Sequence, residues 1–250
     1  MSDGLRVTIW NEGVHEKKNE AARKLYPVGM GRQIAQFLEN RPGIASVHVS
    51  ELDHDGQGLT DEILKNTDVM TWWGHRAHDE VTDLNVERVA ERVTQHGMGL
   101  VVLHSGHHSK IFRKLMGTSC DLRWRDIGER ERIWVVDPSH PITEGLPPYI
   151  EIESAEMYGE HFDIPQPDQQ VFLSWFAGGD VFRSGCCWHR GKGKVFYFRP
   201  GHETFPIYHN EQVLTVIYNG IRWAAPTAGP VIGRGNVPPL EKILPHGDSA

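Results

Sequence analysis

The sequence predicts an α/β fold: a mostly parallel central sheet with helices on both faces, extended by antiparallel strands in the C-terminal half. Three observations point there. Leu100-Val-Val-Leu-His-Ser-Gly-His-His-Ser109 joins a short apolar run to a histidine-rich turn and a helix start, which is how a buried parallel strand reads. Strand-like and helix-like segments alternate over the first half, and that order favours right-handed parallel crossovers. In the second half the strands are separated by turns instead, with Ala177-Gly-Gly-Asp180 and Gly191-Lys-Gly193 as hairpin connections.

In chain order, residues 5–10 are a first strand, apolar enough to be central, and Asn11 to His15 form its outgoing loop. Helix follows, broken near Pro27 and Gly29 and firmest over 30–39. Residues 45–50 alternate as a half-exposed second strand, Thr60 caps a short helix through Asn66, and 68–73 are a third strand. Val86, Val89, Ala90 and Val93 mark one apolar helix face, stopped by Gly97. Strand four is 100–103, and Ser109 caps 110–116. Strands then follow at 132–136, 171–176, 181–188 and 194–198, with 151–162 between the first two and a final helix at 212–224. Residues 1–225 read as one α/β domain and 226–250 as a Pro/Gly-rich tail.

The 26 basic and 33 acidic residues give a net charge of −7 without a basic run, which argues against nucleic-acid binding. With no apolar stretch of spanning length and no leader pattern, a cytoplasmic protein is expected, without membrane contact. Cys120, Cys186 and Cys187 make no disulfide framework. The open sheet edges and the tail suggest a homo-oligomer.

The histidines carry the functional signal. His15 follows strand one, His75 and His78 strand three, His104 and His107 strand four, and His202 the last strand, so a parallel sheet delivers them to one edge. Imidazole is the commonest metal ligand, and catalytic zinc takes three protein ligands with one position open. His104, His202 and His75 are therefore expected to hold a divalent ion, zinc, with His15 or Glu160 completing the set. Glu160 and Glu203 are the candidate general bases, although Glu160 serves equally well as the partner that orients a ligating histidine. Tyr158 suits either a hydrogen bond to a sugar hydroxyl or packing. His48, His54, His96, His140, His189, His209 and His246 lack this placement and read as structural or solvated. Ser105 follows a strand but lacks the first glycine of a nucleophile elbow, so a serine hydrolase is a weaker reading.

Trp72-Trp-Gly-His-Arg-Ala-His-Asp-Glu-Val81, Glu156-Met-Tyr-Gly-Glu160 and Gly191-Lys-Gly-Lys-Val-Phe-Tyr-Phe-Arg-Pro-Gly-His-Glu203 resemble the ThuA, or trehalose utilisation, family over about residues 5–225. The resemblance implies a flavodoxin-like, class I glutamine amidotransferase-like three-layer sandwich and a sugar substrate. That superfamily sets a nucleophilic cysteine in a Cys-x-Gly-His turn; here the turn is His104-Ser-Gly-His107, and the superfamily's His–acid pair is matched by His202 and Glu203. An imidazole cannot act as that thiol but can hold zinc. The expectation is a metal-dependent hydrolase or isomerase of a sugar or keto-sugar, not a cysteine-dependent amidotransferase, with His104, Glu160 and Glu203 catalytic. The alternative is a non-enzymatic sugar-binding or regulatory module.

Overall fold

The computed structural model describes residues 4–229 and 235–243. Nine strands form one sheet: β1 (Leu5–Asn11), β2 (Ile44–Glu51), β3 (Val69–Trp73), β4 (Gly99–Leu103), β5 (Arg123–Val135), β6 (Tyr149–Gly159), β7 (Gln169–Phe176), β8 (Val181–Arg190) and β9 (Gly193–Phe198). Their order is β2-β1-β3-β4-β9-β8-β7-β5-β6. The first five in that order are parallel, the 2-1-3-4-5 arrangement of flavodoxin-like sheets with β9 in fifth place. From β9 outward every pairing is antiparallel.

The helices are α1 (His15–Lys18), α2 (Glu20–Leu25), α3 (Met30–Leu38), α4 (Asp61–Lys65), α5 (Asp83–Thr94), α6 (Lys110–Met116) and α7 (Glu211–Ala224). Their ends follow the local chemistry. Thr60 accepts from the Ile63 amide, Ser109 accepts from the Phe112 amide, and Gly117 closes α6 in the left-handed conformation. Met30, Ile34 and Leu38 of α3 and Val213, Ile217 and Ile221 of α7 share one core with Val7, Val101 and Phe196. Val89 and Val93 of α5 and Phe112 of α6 share the other with Met70, Val102 and Tyr197. The fold is thus the expected three-layer sandwich. Cys187 packs in the first layer and Cys186 in the second, as neighbours on one strand must.

Two elements differ from the sequence-based expectation. β5 begins nine residues earlier than 132, at Arg123, and 151–162 is largely strand β6. Arg123, Arg125, Glu129 and Arg132 gave β5 the composition of a loop, yet Arg123 and Arg125 pair laterally with Asp180, Arg132 pairs with Glu151, and Glu129 pairs with Arg125. A charged strand of this kind carries no apolar alternation to read. β6, at the end of the sheet, curls back towards the parallel half: the Glu160 amide donates to the Val181 carbonyl at 3.0 Å, and Arg199 Nη1 donates to the Glu156 carbonyl at 2.7 Å. That curl carries Glu156 and Tyr158 over the ends of β4 and β9.

Residues 226–229 and 235–243 contain neither helix nor strand, and Leu240 is fully exposed. The rest of the tail, with His246, lies outside the described residues. Among the described residues, no helix is long and apolar enough to cross a membrane.

Candidate metal centre and cavity

A cavity of about 620 Å³ opens beyond the carboxyl ends of β1, β3, β4 and β9, with β6 closing one side. Its walls include His15, His75, His78, His107, His108 and His202 with Glu156, Tyr158 and Glu203, and His104 lies fully buried against Glu156. Imidazole and carboxylate groups are thus concentrated where an open α/β sheet binds ligands.

His104 sits at φ +49°, in the left-handed region that residues with a side chain rarely adopt. Strain of that kind persists where the surroundings enforce it, as at functional turns. Here β4 stops abruptly, and Gly201 leaves room for it: a Cβ on Gly201 would lie 2.9 Å from His104 Cβ and 2.3 Å from the Tyr208 hydroxyl oxygen. His104 Nδ1 lies 2.9 Å from the Arg199 carbonyl, so Nδ1 carries the hydrogen and Nε2 presents a lone pair. Nε2 stands 3.0 Å from Glu156 Oε2, which meets no hydrogen-bond donor among the described residues. The Tyr158 hydroxyl, 3.3 Å from Nε2, can satisfy one of these two acceptors but not both. Two buried acceptors in contact call for a proton or a cation between them.

His202 completes this group. Its Nε2 lies 4.0 Å from Glu156 Oε2, and its Nδ1 contacts the Thr204 hydroxyl at 2.9 Å. Candidate ligand atoms of His104, Glu156 and His202 lie within 4.8 Å of one another. Burial, with Arg199 nearby, holds the His104 imidazole well below its ordinary range, and burial with His104 alongside lowers His202. Both are therefore neutral near pH 7, as metal ligation requires. Burial pushes the Glu156 carboxyl up, against the pull of His202 and His75.

A second group adjoins it: His15, His75 and Glu203, again within 4.8 Å. His15 Nδ1 is 2.5 Å from Glu203 Oε1, and the Arg76 guanidinium donates to His15 Nε2 at 3.1 Å. His15 Nε2 is thereby engaged, while Nδ1 lies against the Glu203 carboxylate without hydrogen-bond geometry. Burial opposes ionisation of Glu203, but the close contact with His15 and the neighbouring His202 and His75 outweigh it and bring its pKa down to about 2. Such a carboxylate is a weak base near neutrality, so Glu203 orients His15 more readily than it takes a proton. His75 is lowered by burial, and its buried Nδ1 has no hydrogen-bond partner among the described residues.

Of the expected site residues, the structure brings His15, His75, His104, His202 and Glu203 together. Glu160 stands apart. Both its oxygens are occupied by Arg183 and by the amides of Arg183 and Phe162, and it does not line the cavity. Glu156, on β6 four residues before Glu160, takes the place expected of Glu160. Ser105 donates to the Gly74 carbonyl at 2.7 Å and so lacks the basic partner a nucleophile needs. The three cysteines are buried away from the cavity; burial pushes the Cys120 thiol up to about 11 and Cys186 up to about 12. Among the remaining histidines, His48, His54, His96, His189 and His209 are exposed, and the buried His140 contacts Gln169.

Sequence reasoning missed Glu12. Its buried carboxylate accepts from the amides of His75, Arg76 and Ala77 at 2.7–3.0 Å and holds the loop that carries His75. The acceptor pattern lies in backbone amides more than sixty residues away, so no side-chain motif announces it.

His78 and His107 make the cavity wall sensitive to acid. Burial, with His108 beside it, lowers His78 to about 4, and burial alone accounts for most of the drop of His107 to about 3. Below the ordinary imidazole value of 6.5 the unfolded chain takes up these protons and the folded chain does not. Stability is therefore complete above that value and falls as pH drops towards 4, with His107 contributing a slope of up to about 1.4 kcal/mol per pH unit. Urea unfolding at pH about 7 and about 5 should show a smaller loss for His107→Gln than for the unaltered chain. Equal losses would contradict the assignment.

The family model described as ThuA, trehalose utilisation, matches residues 6–224. Among solved structures, a protein described as ThuA-like from Parabacteroides merdae superposes with TM-score 0.64 at 16% identity, covering 91% of this chain and 93% of that one. Another, from Bacteroides uniformis, gives 0.62 at 14% identity over 90% and 93%. A cytoplasmic protein of Salmonella typhimurium LT2 gives 0.55 at 14% identity over 88% and 100%. At these identities the superpositions speak for the fold. No curated protein sequence matches the chain.

Proposed function

Because the chain belongs to the ThuA family, described by trehalose utilisation, and carries a buried His–Glu–His group in its cavity, we propose that it is a metal-dependent enzyme acting on a sugar or keto-sugar by hydrolysis or isomerisation. The observation that carries this reading is the contact of His104 Nε2 with Glu156 Oε2 at 3.0 Å, two acceptors with one donor between them. His104, His202 and Glu156 supply the His2Glu set of catalytic zinc sites, and the cavity leaves the fourth position open to substrate or water. The His104 Nδ1–H bond to a backbone carbonyl is the usual means of fixing a ligating imidazole.

A divalent ion held there would polarise a sugar carbonyl or bring a bound water's pKa close to neutral. The protein's own groups supply the rest. Glu203 stays ionised and fixes His15, Arg76 donates to the far nitrogen of that ring, and Tyr158 offers a hydroxyl beside His104. Hydrolysis and isomerisation both use such a polarised centre with adjacent groups that hold or pass a proton.

Calorimetric titration of zinc into chelator-treated protein tests the cation. One ion should bind near pH 7 with release of protons, and binding should weaken as pH falls because protons compete for the ligands. Absence of binding across that range would contradict the reading.

A further inference from the structure

Trp124 differs from the buried tryptophans of the fold. Trp10, Trp72, Trp73 and Trp188 are fully buried, as tryptophans of a packed sandwich should be. Trp124 is 65% exposed, yet it lines the cavity. The other strongly exposed tryptophan, Trp134, packs against Tyr149 at 4.7 Å. Among the described residues no aromatic ring stacks on Trp124, and the exposed indole is available at the cavity wall.

Its position ties it to the buried group. Trp124 pairs in register with Tyr158, whose ring stacks on His104 at 4.9 Å and 11°. Two residues on, Asp126 also lines the cavity and brings Oδ2 to 3.9 Å from His202 Nε2. The β5–β6 register then breaks between Arg125 and Glu129, around Gly128 at φ +76°. Such a bulge beside a site re-aims the side chains that precede it. The result is one exposed indole and one half-exposed carboxylate, side by side, between the cavity mouth and the His–Glu–His group.

We propose that Trp124 and Asp126 form the subsite that holds the sugar ring of the substrate. This rests on the sugar reading above. An apolar indole face beside a carboxylate matches a pyranose, which offers a flat C–H face on one side and hydroxyl donors at its edge. The ring stacks on Trp124, Asp126 accepts from one or two hydroxyls, and the reacting carbon is directed towards His104, His202 and Glu156. The subsite makes the protein selective for cyclic sugars over acyclic polyols.

Saturation-transfer NMR and calorimetry with trehalose, and with mannitol as the acyclic control, test the subsite on the zinc-loaded full chain. The unaltered chain should bind trehalose in preference to mannitol. Trp124→Ala should weaken trehalose binding about tenfold or more, the loss of roughly one stacking contact. Trp124→Phe should restore most of it, and Asp126→Asn should weaken it as well. Zinc content should stay unchanged in all three variants. The subsite is overturned if the unaltered chain fails to bind trehalose, or if Trp124→Ala binds it as tightly as Trp124→Phe. Trehalose binding that depends on Trp124 in a protein that takes up no zinc would leave the subsite standing and remove the metal reading, so the two fail separately.

Discussion

Replacing Arg199 by methionine should lower the stability of the fold by about 3–5 kcal/mol, a large share of what a domain of this kind possesses. Arg199 and Glu131 form an ion pair in which both side chains are fully buried. Ser174 donates to the other Glu131 oxygen at 2.5 Å, and Arg199 Nη1 reaches the Glu156 carbonyl. Removing the guanidinium strands the carboxylate in the sheet and takes a donor from β6. Thermal unfolding should move down by roughly 6–20 °C. The double variant Arg199→Met with Glu131→Leu should recover most of the loss, since no buried charge is then left unpaired. An Arg199→Met protein as stable as the unaltered one would show that this pair does not hold β5 and β6 to β9.

The pair matters to function because it sits directly under the candidate centre. The Arg199 carbonyl fixes the His104 ring, and the Arg199 side chain ties down the strand that carries Glu156. Stability and site geometry are therefore coupled through one residue.

Most of the architecture was legible in the sequence because the parallel half obeys simple patterns. Apolar runs at 5–10, 68–73 and 100–103 gave central strands, and Thr60 and Ser109 marked helix starts through capping groups. Once those strand ends were placed, the meeting of His15, His75, His104 and His202 followed from topology. The choice between Glu156 and Glu160 did not. Strand periodicity alone would set residues 156, 158 and 160 on one side, but β6 ends at Gly159, and only the curl of the antiparallel half decides which carboxylate reaches the cavity. That curl depends on β5, whose charged residues look like a loop until Asp180 and Glu151 pair with them. The sequence offers Trp124 only as one of several scattered tryptophans suited either to stacking on a sugar or to the core, and it is exposure at the cavity that sets it apart.

The most direct measurement is the zinc content of purified Glu156→Gln beside Glu160→Gln. Amide for carboxylate at 156 leaves shape and volume nearly unchanged but removes the anionic ligand next to His104 Nε2. Glu160→Gln alters a carboxylate that already belongs to Arg183. Elemental analysis by mass spectrometry should find about one zinc per chain in the unaltered protein and in Glu160→Gln, and a loss of at least tenfold in zinc affinity for Glu156→Gln, the lower end expected for disturbing a metal site. Zinc lost with Glu160→Gln and retained with Glu156→Gln, or absent from every form, would contradict the His104–Glu156–His202 centre.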